Sequence, residues 1–189
     1  MTTASAPGPA EVGTPRCLLR DWRREDAPRV FDIYSRWEVA RWLGSSPKPM
    51  TTLDEAFEFV ERCSELNRTE PIARRWAVER RRDGLLLGTI LLVPLPEPAE
   101  TSGISDGRFE IGWHFHPEVW GKGYATEAAR AALGWGFHRG LKEIFAVVRP
   151  DNVASLNLCK RLRMSAIGRT TAYYDAVLEL FYVTPAELR

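Results

Sequence analysis

Cysteine is scarce in this chain of 189 residues: there are three, Cys17, Cys63 and Cys159. Odd in number and far apart, they imply neither a disulfide framework nor a thiolate zinc site. Histidine is equally sparse, at three. His114 and His116 fall on one strand face, but no carboxylates stand at ligand spacing around them, so a pocket or surface role is expected and no metal. An excess of charge is missing too: a formal net charge of +1 gives no reason to expect a nucleic-acid partner or an anionic membrane. No hydrophobic run approaches the ~20 residues that cross a bilayer. Residues 1–15 are rich in Ala, Thr, Gly and Pro but lack the basic segment and apolar core of a signal peptide. They read as a disordered tail, and the chain as a cytoplasmic protein. Internal repeats are absent.

What is present is core. Hydrophobic residues make up 44% of the chain, with seven tryptophans, and a chain this long buries a substantial interior. One domain over residues 16–189 is the natural expectation. A first strand is predicted over Cys17–Arg20 and a helix from Arg24 to Arg36, its apolar face supplied by Val30, Phe31, Ile33 and Tyr34. A second helix, Leu53–Leu66, has Thr52 as N-cap and Glu55 three residues on. Trp76–Arg81 and Leu85–Val93 read as a hairpin around Asp83-Gly84. Pro94–Gly107, rich in Pro, Ser and Gly, is a candidate mobile excursion.

The most informative stretch follows. Phe109, Ile111, Trp113 and Phe115 alternate with Glu110, Gly112, His114 and His116, the period of a strand with two distinct faces. Trp120-Gly121-Lys122-Gly123-Tyr124-Ala125-Thr126-Glu127-Ala128 then reads as a glycine turn opening a helix to about Arg139, with a small-residue stripe that lets it pack close to a sheet. The free N–H groups of such a helix start attract phosphate. Two commoner phosphate motifs are excluded. A dinucleotide fingerprint beginning at Gly121 needs Gly or Ala at position 126, where Thr126 stands, and no Gly-x-x-x-x-Gly-Lys-Ser/Thr run exists. Ile144–Val148 is a short buried-strand pattern, so strand, helix and strand through 109–148 imply a parallel pair joined by a right-handed crossover. A helix over Val153–Leu162 and a strand over Val177–Val183 complete the chain.

The Trp120–Ala128 wording resembles the pyrophosphate loop of the GNAT superfamily of acetyl-CoA-dependent N-acyltransferases, above all the branch of ribosomal-protein N-terminal acetyltransferases (RimJ/RimL-like). Two further matches stand in the same order: Leu18-Leu19-Arg20-Asp21 with Glu25-Asp26-Ala27, and Asn152-Val153-Ala154-Ser155. The resemblance runs from about Arg16 to the C-terminus. It implies an α/β fold with a mixed, largely antiparallel central sheet flanked by helices, whose splayed parallel strand pair binds the cofactor. It also implies that the backbone of Trp113, His114 and Phe115 pairs with pantetheine. Trp120, Gly121, Lys122, Gly123, Tyr124, Ala125 and Thr126 would hold the pyrophosphate, and Asn152 and Ser155 would face the thioester. Lys122 either touches phosphate or is solvated. The chain departs from the family pattern in three places. Trp120 stands where Gln or Arg is usual, Arg163-Met164 replaces Gly-Phe, and Cys159 takes the place of a tyrosine that serves as general acid in many relatives.

Acetyl transfer needs a neutral amine. An α-amine has a pKa near ~8 and a lysine near ~10.4, a gap of about 3.4 kcal/mol in favour of the N-terminal amine. Glu110, on the key strand where the resembled branch often carries an acid, is the candidate base, a ladder-edge glutamate being its plain alternative. Ser155 is the candidate donor to the leaving sulfur, with Cys159 or water as the other options. Because CoA thiol acidity is near ~8.5, the thiolate leaves without a strong acid. The expected acceptor is a protein or peptide N-terminus. A small-molecule amine, or a catalytically weak acyl-CoA-binding regulatory module, remains open, and a monomer or homodimer is the expected assembly. Arg74-Arg75 and Arg80-Arg81-Arg82 read as a solvated hairpin, with receipt of an acidic acceptor or a ribosomal surface as their other use. Trp37, Trp42, Tyr173 and Tyr174 divide between an acceptor pocket and the core.

Overall fold

Short apolar runs bounded by turn residues become strands, and the segments of helical period become the helices laid on them. The computed structural model describes residues 11–44, 46–96 and 107–188. Within them one sheet contains β1 (Val12–Gly13), β2 (Cys17–Arg20), β3 (Arg74–Arg80), β4 (Leu86–Pro94), β5 (Phe109–Phe115), β6 (Ile144–Val148), β7 (Ser165–Thr170) and β8 (Leu178–Val183). The order is β1-β2-β3-β4-β5-β6-β8-β7, and every pairing is antiparallel except that of β5 with β6. This is the mixed, largely antiparallel α/β sheet that the sequence led us to expect.

Helices α1 (Ala27–Tyr34), α2 (Trp37–Ala40) and α3 (Leu53–Thr69) precede β3, α4 (Tyr124–His138) links β5 to β6, and α5 (Val153–Arg161) follows β6. Both sheet faces are covered. On one, α4 packs Ala128, Ala129, Ala132 and Leu133, all fully buried, against Trp76, Ile90 and Leu92. Burying a leucine such as Leu133 contributes about 1.5–3 kcal/mol. The approach is so close that a Cβ at Gly136 would lie 2.8 Å from a Leu92 methyl. On the other face, Val30, Ile33 and Tyr34 of α1 and Val60 and Cys63 of α3 cover Ala77.

The consequential irregularity lies between the parallel strands. β5 keeps its β4 partners all the way from Phe109 to Phe115, yet its registered pairing with β6 is confined to Glu110 and Phe145. Beyond that point the two strands part, and the edge of β5 from Ile111 to Phe115 is left open.

Several expected boundaries shift. The helix read as Arg24–Arg36 is a 3-10 turn (Arg24–Asp26) running into α1, which stops before an extended Arg36 (ψ 122°) and restarts as α2. Asp26 explains the turn: its carboxylate accepts from the Arg23 N–H and, bidentately at 2.8 Å, from buried Arg20. Thr52 caps α3 as expected by accepting from the Glu55 N–H at 3.3 Å, but α3 continues to Thr69. The last strand begins at Leu178 and not Val177. The sheet extends into the stretch expected to be a tail, since β1 starts at Val12, and β7 was not anticipated at all. Most of the Pro94–Gly107 excursion, residues 97–106, lies outside the described residues, as do residues 1–10. No helix among the described residues is long and apolar enough to cross a membrane.

Candidate active site

The turn after β5 is built to present backbone N–H groups. Gly121 (φ 72°) and Gly123 (φ 80°) both occupy the left-handed region, and Gly123 is the N-cap of α4. A residue with a Cβ is disfavoured in that conformation. The first N–H groups of α4 have no intrahelical acceptor and carry the positive end of the dipole. Glu127, one turn into the helix, fixes the position. Its carboxylate accepts from the Arg16 backbone N–H (2.8 Å), the Arg16 guanidinium (2.6 Å) and the Thr14 hydroxyl (2.6 Å). Burial alone would raise its pKa; these donors hold it below the ordinary value. Arg16 also donates to the Lys122 carbonyl at 2.9 Å, so the strand end clamps the loop from outside.

A cavity of about 860 Å³ opens from this turn into the gap between β5 and β6. Gly121, Gly123, Tyr124, Ala125 and Thr126 line one end, together with the guanidinium-bearing Arg16, Arg130 and Arg161. Arg161 is steadied by the Thr126 hydroxyl at 3.2 Å, and Arg130 by the Arg161 carbonyl at 3.0 Å. Arg41, Trp42 and Leu43 line the cavity as well, and Arg149 holds their loop through the Gly44 carbonyl at 2.9 Å. An anionic, elongated ligand with an amide-bearing arm fits this combination of free helix N–H groups, four arginines and an open strand edge.

The expected site residues are not all placed as the sequence suggested. Trp113, His114, Phe115 and Trp120 line the cavity, as do Asn152 and Ser155. The backbone of His114, however, turns toward β4: its carbonyl lies 2.2 Å from where a Gly88 Cβ would stand. By strand alternation the main-chain groups facing the gap are those of Ile111, Trp113 and Phe115. The Phe115 carbonyl already accepts from the Trp120 indole at 2.8 Å. Trp120 in this position is thus a brace across the turn. Lys122 directs its ammonium to the Glu118 carbonyl at 2.8 Å.

At the mouth of α5, Asn152 caps the helix through the Ser155 N–H (3.1 Å), and the Ser155 hydroxyl accepts from the Trp113 indole (3.0 Å). An oxygen that accepts there keeps its own proton to give. Cys159 is different. It is fully buried in the core beneath α4, outside the cavity lining, and burial pushes its thiol up to about 12. Cys159 is therefore a packing residue and not a proton donor at the gap.

The opposite face of β5 carries the acid–base groups. Glu110 is 7% exposed, and burial raises its carboxyl to about 7 against two opposing influences, the hydrogen bond from the Tyr174 hydroxyl and the charge of Arg75. His114 contacts the Tyr34 hydroxyl through Nδ1 at 3.0 Å, and that hydroxyl meets Thr89 at 2.8 Å. Desolvation lowers His114 to about 4, with Arg75 pushing the same way. A group near 7 is matched to proton transfer at neutral pH and one near 4 is not.

The sequence reading missed Arg16, Arg130, Arg161 and Tyr34 as parts of this site, whereas Tyr174, one of the aromatics considered for the acceptor pocket, bonds Glu110. It also misjudged Arg74, which is not a solvated hairpin residue: it is 1% exposed, bonded to the Glu70 and Ala73 carbonyls, with its guanidinium over Trp135. Tyr173 is core, and Trp37 is exposed. Among the described residues no group of three His, Cys, Asp or Glu side chains could hold a metal ion.

Comparison with known proteins agrees with this geometry. The sequence model of the family described as acetyltransferase (GNAT) domain matches residues 16–165. YoaA of Bacillus subtilis (strain 168), an uncharacterized N-acetyltransferase, is 32% identical over 161 residues, 85% of this chain and 85% of its own. RimJ of Mycobacterium smegmatis, solved in complex with CoA-disulfide, has a TM-score of 0.74 at 19% identity and covers 97% of this chain and 89% of that one. A ribosomal-protein-S5-alanine acetyltransferase from Vibrio fischeri has a TM-score of 0.71 at 17% identity, with coverage of 95% and 99%. The chain belongs to the GNAT acetyltransferase family and is an acetyl-CoA-dependent N-acetyltransferase.

Proposed function

We propose that this enzyme acetylates the α-amine of a protein or peptide N-terminus in the cytoplasm by direct transfer, with Glu110 as base and Ser155 as hydrogen-bond donor to the departing sulfur. The observation that carries the reading is the buried Glu110 carboxyl, bonded by the Tyr174 hydroxyl and set just outside the cavity lining on the strand whose open edge faces the cofactor cavity; burial raises it to about 7. Removing a proton from an ammonium of pKa ~8 with such a base is uphill by roughly 1 kcal/mol, against roughly 5 kcal/mol for a lysine at ~10.4. The base is thus suited to α-amines. The similarity in fold to an enzyme whose name specifies a ribosomal-protein alanine supports the same acceptor class.

In the reaction the amine lone pair attacks the thioester carbonyl, and its proton passes to Glu110 directly or through one water. The C–S bond then breaks, and the thiolate leaves against the Ser155 hydroxyl. Asn152 and Trp113 hold that hydroxyl in place, and the cavity supplies the proximity term. Glu110→Gln is expected to lower kcat/KM for a peptide acceptor at least 100-fold while the melting-temperature shift with acetyl-CoA persists. A variant as active as the parent removes Glu110 from this role. Equal rates on free amino acids and on peptides of varied sequence would replace the peptide acceptor with a small-molecule amine.

A further inference from the structure

Arg75 has no assigned role, and its surroundings are unusual. Strand β3 sets it in register with Leu91, and Leu91 stands in register with Gly112 of β5. The row therefore runs from Arg75 to the stretch of β5 between Glu110 and His114, on the face those two residues share. Gly112 carries no side chain of its own and Leu91 covers it, since an added Cβ there would lie 3.0 Å from the Leu91 side chain. The half-buried Arg75 guanidinium acts electrostatically on Glu110, His114, Tyr34 and Tyr174 alike. One positive charge thus acts on four groups from three different parts of the chain.

That charge is incompletely matched. The Arg75 Nε is buried with no hydrogen-bond partner, and no carboxylate among the described residues forms an ion pair with Arg75. Its side-chain contact is the Cys63 thiol, a weak acceptor. Other arginines nearby are better provided. Buried Arg20 is bidentate to Asp26, buried Arg74 bonds two carbonyls, and Arg36, whose Nε is also unpaired, has Asp32. A guanidinium presents a planar fork that matches a carboxylate, and the binding of one here would complete the set.

We propose that Arg75 anchors a carboxylate carried by the acceptor, so that this enzyme selects amines with an anionic group close to the reacting nitrogen. The idea rests on the acceptor-side reading above. Two sources share the chemistry: the α-carboxylate of a free amino acid, and an acidic side chain near a peptide N-terminus. Polyamines, which would bring more positive charge to a guanidinium, are disfavoured.

The test crosses acceptor charge with acceptor type. Rates of CoA release are compared for glycine against glycinamide, for a short peptide with Asp against Asn at its second residue, and for spermidine. At least one acidic member is expected to exceed its neutral partner about 10- to 100-fold, the effect of one charge-assisted hydrogen bond. Arg75→Gln should erase that ratio by losing far more activity on the acidic member than on the neutral one. Arg75→Lys should keep part of it, and both variants should keep the acetyl-CoA melting shift. Parent enzyme indifferent to acceptor charge, or a ratio retained in Arg75→Gln, overturns the proposal. Peptides that react without an acidic preference discard Arg75 and keep the peptide reading. An acidic preference on amino acids, with peptides inert, does the reverse.

Discussion

Replacing the proposed base should make the protein more stable, and the gain should depend on pH. Glu110 has an ordinary carboxyl value of 4.5 and is raised to about 7 in the folded chain, first by burial. A raised acid favours folding while it is protonated, below its unfolded pKa, and that advantage is lost as pH rises through the folded value. At full ionisation that rise in the carboxyl value corresponds to about 3 kcal/mol. Glutamine keeps the shape and can still accept from the Tyr174 hydroxyl, but cannot ionise. Glu110→Gln is therefore expected to match the parent near pH 4.5 and to exceed it by about 2–3 kcal/mol at pH 8.5, allowing for the weaker hydrogen bond to a neutral acceptor. In a chain of this size that corresponds to a melting temperature higher by roughly 5–10 °C. Groups common to both proteins cancel when their stability-versus-pH curves, from urea unfolding between pH 4.5 and 8.5, are subtracted. A flat difference across that window would show that Glu110 has an ordinary pKa, and the case for it as base would fall with it.

Other perturbations probe separate links of the account. Ser155→Ala is expected to lower kcat about 10-fold or less and to leave KM for the amine unchanged, since a thiolate of pKa near ~8.5 departs with little help; a 1,000-fold loss in steady-state assays would make Ser155 the principal acid. Arg163→Gly should stabilise the fold by about 0.5–1 kcal/mol in denaturant titrations, because Arg163 sits at φ 59° just past α5, where the Met164 N–H reaches the Cys159 carbonyl and the Arg163 N–H the Lys160 carbonyl, each at 3.0 Å. No gain there would mean that the arginine side chain offsets its backbone strain.

The way these residues divide shows what local pattern can and cannot reveal. β5 and the start of α4 were legible because strict alternation, two glycines and a small-residue stripe are written contiguously from Phe109 to Gly136. β7 was not, since it is a two-faced edge strand with mostly exposed side chains around Gly168, and its register against β8 shifts at that point. β1 is two residues long and held by β2 and by Thr14, whose partner Glu127 is 113 residues away. Helical spacing grouped Asn152, Ser155 and Cys159 on one face, but Asn152 is a cap outside helical geometry (ψ 70°), and Cys159 lies one turn further along, below the gap and in the core. Glu110 was chosen from its strand position. Tyr174, whose hydroxyl bonds it, and Arg75, whose charge opposes its burial, arrive from other strands and loops. Register between distant strands is a tertiary outcome, so no local spacing announces it.

The most direct test of the central claim is the pH dependence of kcat/KM for a peptide α-amine at saturating acetyl-CoA, in the parent and in Glu110→Gln. The parent profile should rise through two ionisations, one near 7 from Glu110 and one near ~8 from the amine itself. In Glu110→Gln only the amine's ionisation should remain, on a profile at least 100-fold lower. Two parallel profiles, differing by a constant factor or not at all, would contradict the assignment of Glu110 as the group that takes the proton.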